Sequence, residues 1–311
     1  MAVSLGPFLD LVGREYLDGF VPAGGAATRF IVAAPDVLDR AATSLAARAE
    51  PAGLLVVRVS LAETKLHMLQ NFVFALTAAL PWDELIRVRA ERLVAASEMA
   101  WPVPGRRATL VELAEANKIA PQLLRPQLLR WLTAQVWQDA SLTQDFRNAV
   151  IALVADEITG DDVALRAAVL GWLRGEVRRV AEVKAAGITG RITRHNARAM
   201  LMSLCHFLRQ CGHGGLLVLL DISRLHEPRG APGWHYTPAT VMDCYEVLRQ
   251  VIDDAEHFPG LFLAVLAGPD LLSDDSKRSL RQYQALLMHL IDDVRPHDRD
   301  NPLAPLVRLV A

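Results

Sequence analysis

The sequence predicts an α/β protein with a mostly parallel sheet flanked by helices and an inserted, all-helical lobe. Short aliphatic runs, separated by helical patterns, are predicted to be strands at 28–32, 54–59, 214–221, 261–267 and 305–310. These runs are largely apolar and do not alternate with polar residues, which is typical of strands covered on both faces. Between about 105 and 190 no such run occurs and amphipathic patterns follow one another, which indicates a purely helical segment.

The helical patterns define the expected organisation of the chain. Helices are predicted over 5–20, 36–49, 65–80, 83–99, 108–117, 121–138, 141–156, 161–171, 172–186, 195–211, 239–256 and 277–293. Asp36 is expected to cap the helix over 36–49. The predicted domains are an N-terminal part of the α/β core at 1–104, the helical lobe at 105–190, and a C-terminal part of the core at 191–311.

Composition excludes several classes of protein. The 311 residues are 52% hydrophobic and 22% charged, which is typical of a globular chain with a sizeable core. A formal charge of −2 gives no general signal for nucleic acid or a membrane surface. The three cysteines, Cys205, Cys211 and Cys244, are too few for a disulfide framework. With neither a signal-peptide pattern nor a long apolar segment, a cytoplasmic protein without membrane contact is expected.

The run 214–221 carries the strongest candidate functional residue. Five aliphatic residues follow Gly214 and Gly215, and Asp221 ends the run. A carboxylate at the C-terminal end of a parallel strand lies where open α/β sheets bind ligands. In P-loop ATPases the corresponding Walker B aspartate holds the Mg²⁺ of the nucleotide. Asp221 is therefore a candidate cofactor-binding residue, and the alternative is a carboxylate that caps the turn after the strand.

Several segments, in order along the chain, carry a resemblance to a known family. They are REYLDGFVPAGGAATRFIV (14–32), VVRVSL (56–61), LRQCGHGGLLVLLD (208–221), YEVLRQVIDDAEHFPGLFLAVLAGPDLLSDD (245–275), RQYQALLMHL (281–290) and NPLAPLVRL (301–309). Together they resemble the BrxD-like P-loop ATP-binding proteins of bacterial BREX phage-defence systems. The resemblance implies a P-loop NTPase-like core of the AAA+/ASCE type and a setting in a defence complex.

The chain departs from that family at the phosphate loop. A Walker A loop uses glycines and a lysine to surround phosphate, but Ala33–Arg40 at the matching place contains no Gly, Lys, Ser or Thr. At the position where the resemblance implies a catalytic glutamate, directly after the Walker B aspartate, this chain has Ile222. His289 stands near the position at which the family's closing helix carries an arginine. These departures predict a degenerate ATPase with no cofactor and no catalytic residue.

The predicted role is a pseudo-ATPase that acts as a scaffold or regulatory subunit bound to a protein partner, such as an active ATPase. An oligomer is also compatible with the sequence. Two alternatives stay open, a nucleotide-binding switch with an unconventional phosphate loop and a DNA-contacting adaptor.

One basic concentration in this near-neutral chain supports the adaptor alternative. Candidate contact residues for nucleic acid or a protein partner are Arg174, Arg178, Arg179, Arg191, Arg194 and Arg198. Glu176 and Glu182 dilute the positive charge, so a solvated helix surface is the competing interpretation.

Other polar clusters favour structural roles. Cys205, His206, Cys211 and His213 lack the paired spacing of a zinc site, so no metal is expected. The acidic residues at 253–256 and 270–275 are expected to cap helices and solvate loops.

Overall fold

A computed structural model describes residues 3–160, 162–227, 234–290 and 301–310 of the chain. The chain divides into two units, Met1–Leu76 with His213–Ala311, and Thr77–Gly212. The second unit contains the whole of the 105–190 segment and extends beyond it on both sides.

The first unit is built on a six-stranded sheet in which every pairing is parallel. Its strands are β1 (Val3–Ser4), β2 (Ala27–Val32), β3 (Leu54–Ser60), β4 (Gly215–Asp221), β5 (Leu261–Ala267) and β6 (Leu306–Val310). The strand order is β1-β6-β2-β5-β4-β3. Flanked by helices, this sheet confirms the predicted P-loop NTPase-like α/β fold. β1 is too short to have been predicted.

The helices follow the predicted sequence patterns, with shifts at their ends. They are α1 (Leu5–Val12), α2 (Pro35–Ala49), α3 (Leu69–Ala79), α4 (Trp82–Ala95), α5 (Leu110–Ala116), α6 (Pro121–Trp137), α7 (Gln144–Thr159), α8 (Val163–Leu173), α9 (Ala197–Gln210), α10 (Pro238–Asp253) and α11 (Gln284–Leu290). Helices α4 to α9 lie in the second unit, whose described residues contain no strand.

Three helix predictions are wrong in part. The helix over 5–20 is an α-helix only to Val12 and continues as a π-helix over Gly13–Phe20. The helix over 172–186 is absent because α8 ends before Gly175, whose positive φ of 75° is unfavourable inside a right-handed helix. A 3-10 helix over Val180–Ala186 occupies the end of that range. The helix over 277–293 begins only at α11, and its last predicted residues lie outside the described residues.

The start of α2 also differs from the prediction. Ala34, and not Asp36, occupies the capping position, and Pro35 is the first helical residue. Proline suits this position because its nitrogen carries no N–H that would lack a partner. Asp36 instead lies in the first turn, where a negative charge is favoured by the helix dipole.

Strand register brings the carboxyl ends of the central strands to one edge of the sheet. Ser60 of β3 lies beside Asp221 of β4, and Val32 of β2 lies beside Ala267 of β5. The sheet is held by a buried cluster in which α1 and α2 pack on one face, through residues such as Phe8, Val12, Leu45, Ile31 and Phe262. The packed sheet therefore fixes the position of Asp221.

Candidate functional site at the carboxyl edge of the sheet

A cleft of about 500 Å³ lies at the carboxyl ends of β3, β4 and β5, beside the first turns of α2. In parallel α/β sheets this edge is where ligands bind. The cleft contains the carboxylates of Asp39, Glu63 and Asp221 together with one guanidinium, that of Arg58. The remaining lining residues are Pro35, Leu38, Ala42, Val59, Ser60, Leu219, Ser223 and Leu266.

Asp221 is half-buried at the end of β4 and takes part in the local main-chain geometry. Its Oδ1 accepts a hydrogen bond from the backbone N–H of Ser223 at 2.9 Å, where a 3-10 helix over Ser223–His226 begins. Its main-chain carbonyl accepts the N–H of Leu61 at 3.0 Å. The carboxylate thus stabilises the turn after β4 while its position still faces the cleft.

Ile222 follows Asp221 and points into the protein interior. Its side chain is fully buried, and its N–H donates to the carbonyl of Leu266 at 2.9 Å. An aliphatic side chain in this position can neither accept a proton nor orient a water molecule.

The connection between β2 and α2 consists of Ala33 and Ala34 alone. The N–H of Ala33 donates to the carbonyl of Ala267 at 3.1 Å, so this amide belongs to the sheet. The N–H groups of Val37 and Leu38 both donate to the carbonyl of Ala34 at 3.0 Å. A loop that could surround a phosphate with several backbone N–H groups is therefore not formed at this connection.

The chain after β4 is fastened to the end of β3 by contacts that the sequence does not reveal. Arg224 is almost fully buried and donates from Nη2 to the carbonyl of Trp234 at 2.8 Å. The Trp234 indole N–H and the Tyr236 hydroxyl donate to the carbonyl of Leu61, at 3.1 and 3.3 Å. Only the unusual mixture of aromatic and basic residues within 224–238 could have signalled such an anchor.

A second cluster that the sequence does not reveal joins the chain after β4 to α10. The buried Tyr245 hydroxyl donates to the carbonyl of Arg278 at 2.8 Å and lies 3.2 Å from His226 Nε2. His226 Nδ1 is buried and has no hydrogen-bond partner among the described residues. Desolvation by burial is the main cause that lowers the pKa of His226 to about 4, and nearby Arg278 lowers it further while Asp270 opposes the shift.

This environment makes His226 a source of acid sensitivity. Since the folded state holds the imidazole neutral, its contribution to stability is present above pH 6.5 and is lost as the pH falls through about 4. The loss is on the order of 3 kcal/mol for a shift of this size. We expect His226→Gln to narrow the difference in melting temperature between pH 7 and pH 4.5, measured by circular dichroism. An unchanged difference would contradict the assignment, and His257→Gln, at an exposed histidine, is the control.

Comparison with protein families matches residues 132–311 to the model described as BREX system ATP-binding protein BrxC/D. The match covers more than half of the chain and includes β4 and Asp221. The chain belongs to this BREX family. The family resemblance inferred from the sequence is thereby confirmed. No curated protein and no solved structure matches the chain.

In this BrxC/D family member the predicted basic residues lie in the second unit. Arg178, Arg179, Arg191, Arg194 and Arg198 are exposed, and Arg174 is half-buried. Within the residues that the structure describes, Arg178, Arg179, Arg191 and Arg194 are exposed and form no ion pair with an acidic side chain, although Arg194 Nε donates a hydrogen bond to the adjacent His195 at 3.4 Å. The positive charge of these four arginines therefore faces solvent.

The backbone that carries these arginines is fixed to α7 and α8. Asp145 accepts the N–H groups of Thr189 and Gly190, at 3.0 and 3.1 Å. The Trp172 indole N–H donates to the Gly190 carbonyl at 2.8 Å, and the Asn148 amide donates to the Gly187 carbonyl at 2.7 Å. The arginines consequently project from an ordered segment, and their role in contacting a partner stays a prediction.

The described residues of this BrxC/D family member contain no group of three or more His, Cys, Asp or Glu side chains arranged to hold a metal ion. Burial raises the pKa of Cys205 and of Cys211 to about 12, so both are inert thiols at neutral pH. Asp253 pairs with Arg249 and His289, and Asp274 pairs with Arg281.

Among the helices of the described segments, none combines the length and the apolarity that crossing a membrane requires.

Proposed function

We propose that this BrxC/D family protein is a non-catalytic pseudo-ATPase that acts as a scaffold or regulatory subunit in a BREX-type defence complex. The observation that carries the proposal is the connection of Ala33 and Ala34 between β2 and α2. A P-loop of the form G-x-x-x-x-G-K-[ST] needs a longer connection whose glycines let backbone N–H groups approach phosphate. Here the helix begins before such a loop could form.

Local charge also opposes phosphate at this position. Asp36 and Asp39 project from the first turns of α2, and the segment Ala33–Arg40 contains no lysine. A polyphosphate needs a lysine and several backbone N–H groups. Here Asp39 adds a negative charge that repels phosphate, and the one cation of the segment, Arg40, is paired with Asp36 at 3.3 Å. Ile222, which follows Asp221 where the resemblance implies a catalytic glutamate, is buried and cannot activate water for hydrolysis.

If the sheet binds no nucleotide, the remaining property through which the folded protein can act is its surface, which can bind partners. Membership in a multi-component defence family supports a protein partner, and an active ATPase is the partner that we propose. A cytoplasmic setting and side-by-side assembly with that ATPase belong to the same proposal.

Nucleotide binding is the direct test. A ligand present at 100 times its dissociation constant stabilises a protein by about 2.7 kcal/mol, which raises the melting temperature of a chain of this size by several degrees. We expect Mg-ATP or Mg-ADP at 5 mM (roughly a saturating concentration for P-loop proteins) to change the melting temperature by less than about 1 °C. We also expect the protein to release no phosphate from Mg-ATP.

Asp221→Asn is the matched variant for that test, since it removes the carboxylate charge while keeping the hydrogen-bond acceptor used by Ser223. The variant and the natural chain should respond alike. A clear Mg-ATP shift in the natural chain that Asp221→Asn abolishes would overturn the proposal in favour of a nucleotide-binding switch with an unconventional loop.

A DNA-contacting adaptor is the second candidate, and the four exposed arginines at 178, 179, 191 and 194 favour it. If they contact phosphates, Arg178→Glu with Arg194→Glu should weaken binding of a fluorescent duplex at 50 mM salt by about tenfold or more, and the affinity should fall steeply with salt. Anisotropy measures both effects. Arg14→Glu with Arg40→Glu makes the same change of charge elsewhere. Equal affinity of the two double variants would eliminate the adaptor.

A further inference from the structure

β3 is the last strand of the sheet, and no described strand lies on its outer side. The Leu61 N–H donates to the Asp221 carbonyl, and the Gly53 carbonyl accepts the N–H of Gly214. Hydrogen bonds of a parallel strand alternate in direction, so the odd-numbered residues of β3 bond to β4. Leu54, Val56 and Arg58 therefore direct their N–H and C=O groups outward, where the described chain supplies no strand for them.

This edge lacks most of the devices that usually prevent strand addition. Proteins block exposed edges with proline, lysine, a bulge or a very short strand. β3 has seven residues, LLVVRVS, with no proline, no lysine and one charged side chain, that of Arg58. At the opposite edge, β1 has only two residues. β3 is therefore the edge of this sheet that is suited to pair with another chain.

The acidic cleft lies on one face of the sheet, and every second side chain of β3 points to that face. Leu54 packs in the buried cluster with α2, and Arg58 and Ser60, further along the same face, line the cleft. A strand added to β3 would pass this cleft, and every second side chain would point toward it. The cleft holds the carboxylates of Asp39, Glu63 and Asp221 against one guanidinium, so its charge favours a basic side chain.

We propose that β3 accepts an extended, basic segment of a protein partner as a seventh strand of the sheet, with a lysine or arginine side chain in the acidic cleft. This inference rests on the proposed scaffold function, because it names the surface through which the partner binds. Main-chain hydrogen bonds to Leu54, Val56 and Arg58 provide affinity, and the carboxylates select the sequence.

A second copy of this chain fits the edge less well. In an antiparallel pairing centred on Val56, Arg58 of one copy would lie opposite Leu54 of the other. Each arginine would then lie at the end of the partner strand away from the cleft carboxylates. Charge complementarity therefore favours a different, basic chain.

Two fluorescent peptides probe the edge in the intact protein. One alternates lysine with valine, and the other alternates glutamate with valine. We expect the basic peptide to bind in anisotropy titrations at 50 mM salt and the acidic peptide to bind at least tenfold more weakly (roughly the effect of one charge pair in such a cleft). Equal affinity for both peptides, or binding of neither, would overturn the proposal.

Matched variants separate the edge from the cleft. Val56→Pro removes an outward N–H that makes no bond to β4, so the sheet should keep its fold while the basic peptide loses about tenfold or more in affinity. Val56→Thr keeps the N–H and should bind as the natural chain does. Melting temperatures of both variants check the fold. Unchanged affinity in a folded Val56→Pro variant would contradict strand addition.

The charge test does not depend on that proline. Asp39→Lys with Glu63→Lys should abolish the preference for the basic peptide, and Glu50→Lys with Glu84→Lys, at exposed positions outside the cleft, should preserve it. A dimer in light scattering that Val56→Pro dissociates would instead assign the edge to a second copy. Mg-ATP binding is measured separately, so failure of the edge and failure of the pseudo-ATPase proposal give different results.

Discussion

Gly215→Ala should cost the first unit about 3 kcal/mol or more of its free energy of unfolding. A Cβ atom on Gly215 would lie 2.1 Å from the carbonyl oxygen and 2.9 Å from the carbonyl carbon of Gly260. Both are main-chain atoms, so no side-chain rotation can relieve the contact. β4 would have to move away from β5 at the point where the Leu216 N–H donates to the Gly260 carbonyl at 2.8 Å.

Gly268→Ala is the matched control for that substitution. Gly268 has a φ of −70°, and a Cβ there would meet no atom within 4 Å. Its free energy of unfolding should change by less than about 1 kcal/mol, with a slight gain because alanine restricts the unfolded chain. Urea denaturation followed by circular dichroism compares the two variants. Equal stability would show that β4 and β5 can separate at this point without cost.

Arg166→Met should destabilise the second unit by about 3 to 5 kcal/mol. The Arg166 guanidinium, 11% exposed, lies 3.4 Å from a carboxylate oxygen of Asp156 and 3.0 Å from one of Glu157. These two carboxylates are only 4% and 3% exposed. Methionine preserves much of the side-chain volume, but it leaves two buried negative charges with the more distant, half-exposed Arg107 as their main remaining partner.

The pH dependence of the Arg166→Met variant identifies the cause. Burial already raises the pKa of Glu157, although Arg166 and Arg107 oppose that shift. Without Arg166 the Glu157 carboxyl should take up a proton more readily in the folded state, so the destabilisation should shrink as the pH falls from 8 toward 5 (about 1.4 kcal/mol for each unit by which the pKa rises). Arg106→Met, at an exposed ion pair with Glu112, should cost less than about 1 kcal/mol. A loss independent of pH would point to packing instead of charge.

Five of the six strands could be predicted because each of them is a largely apolar run with turn residues near its ends. Gly215–Asp221 and Leu261–Ala267 differ by one residue at most from the predicted limits. β1 could not be predicted, because two residues carry no periodicity and their pairing with β6 is a long-range contact. The π-helix over Gly13–Phe20 has an ordinary amphipathic sequence, which does not distinguish it from an α-helix.

The site was predictable only where it depends on local sequence. Asp221 stands at the strand end that the sequence predicts, and Ile222 follows it into the core. The contacts of Trp234 and Tyr236 with Leu61 join residues more than 170 positions apart, so no local pattern could reveal them. The length of the connection between β2 and α2 was also uncertain from sequence, because it depends on α2 beginning at Pro35 and not one residue later.

The shortness of that connection has a consequence for any attempt to introduce a phosphate-binding loop into this chain. Introducing glycines and a lysine into Ala33–Arg40 would place them on α2, where the N–H groups of Val37 and Leu38 already donate within the helix. Only an insertion could create a loop there, and it would have to leave β2 and α2 in their present packing. Replacement of individual residues in Ala33–Arg40 is therefore not sufficient to build a phosphate-binding loop at this connection.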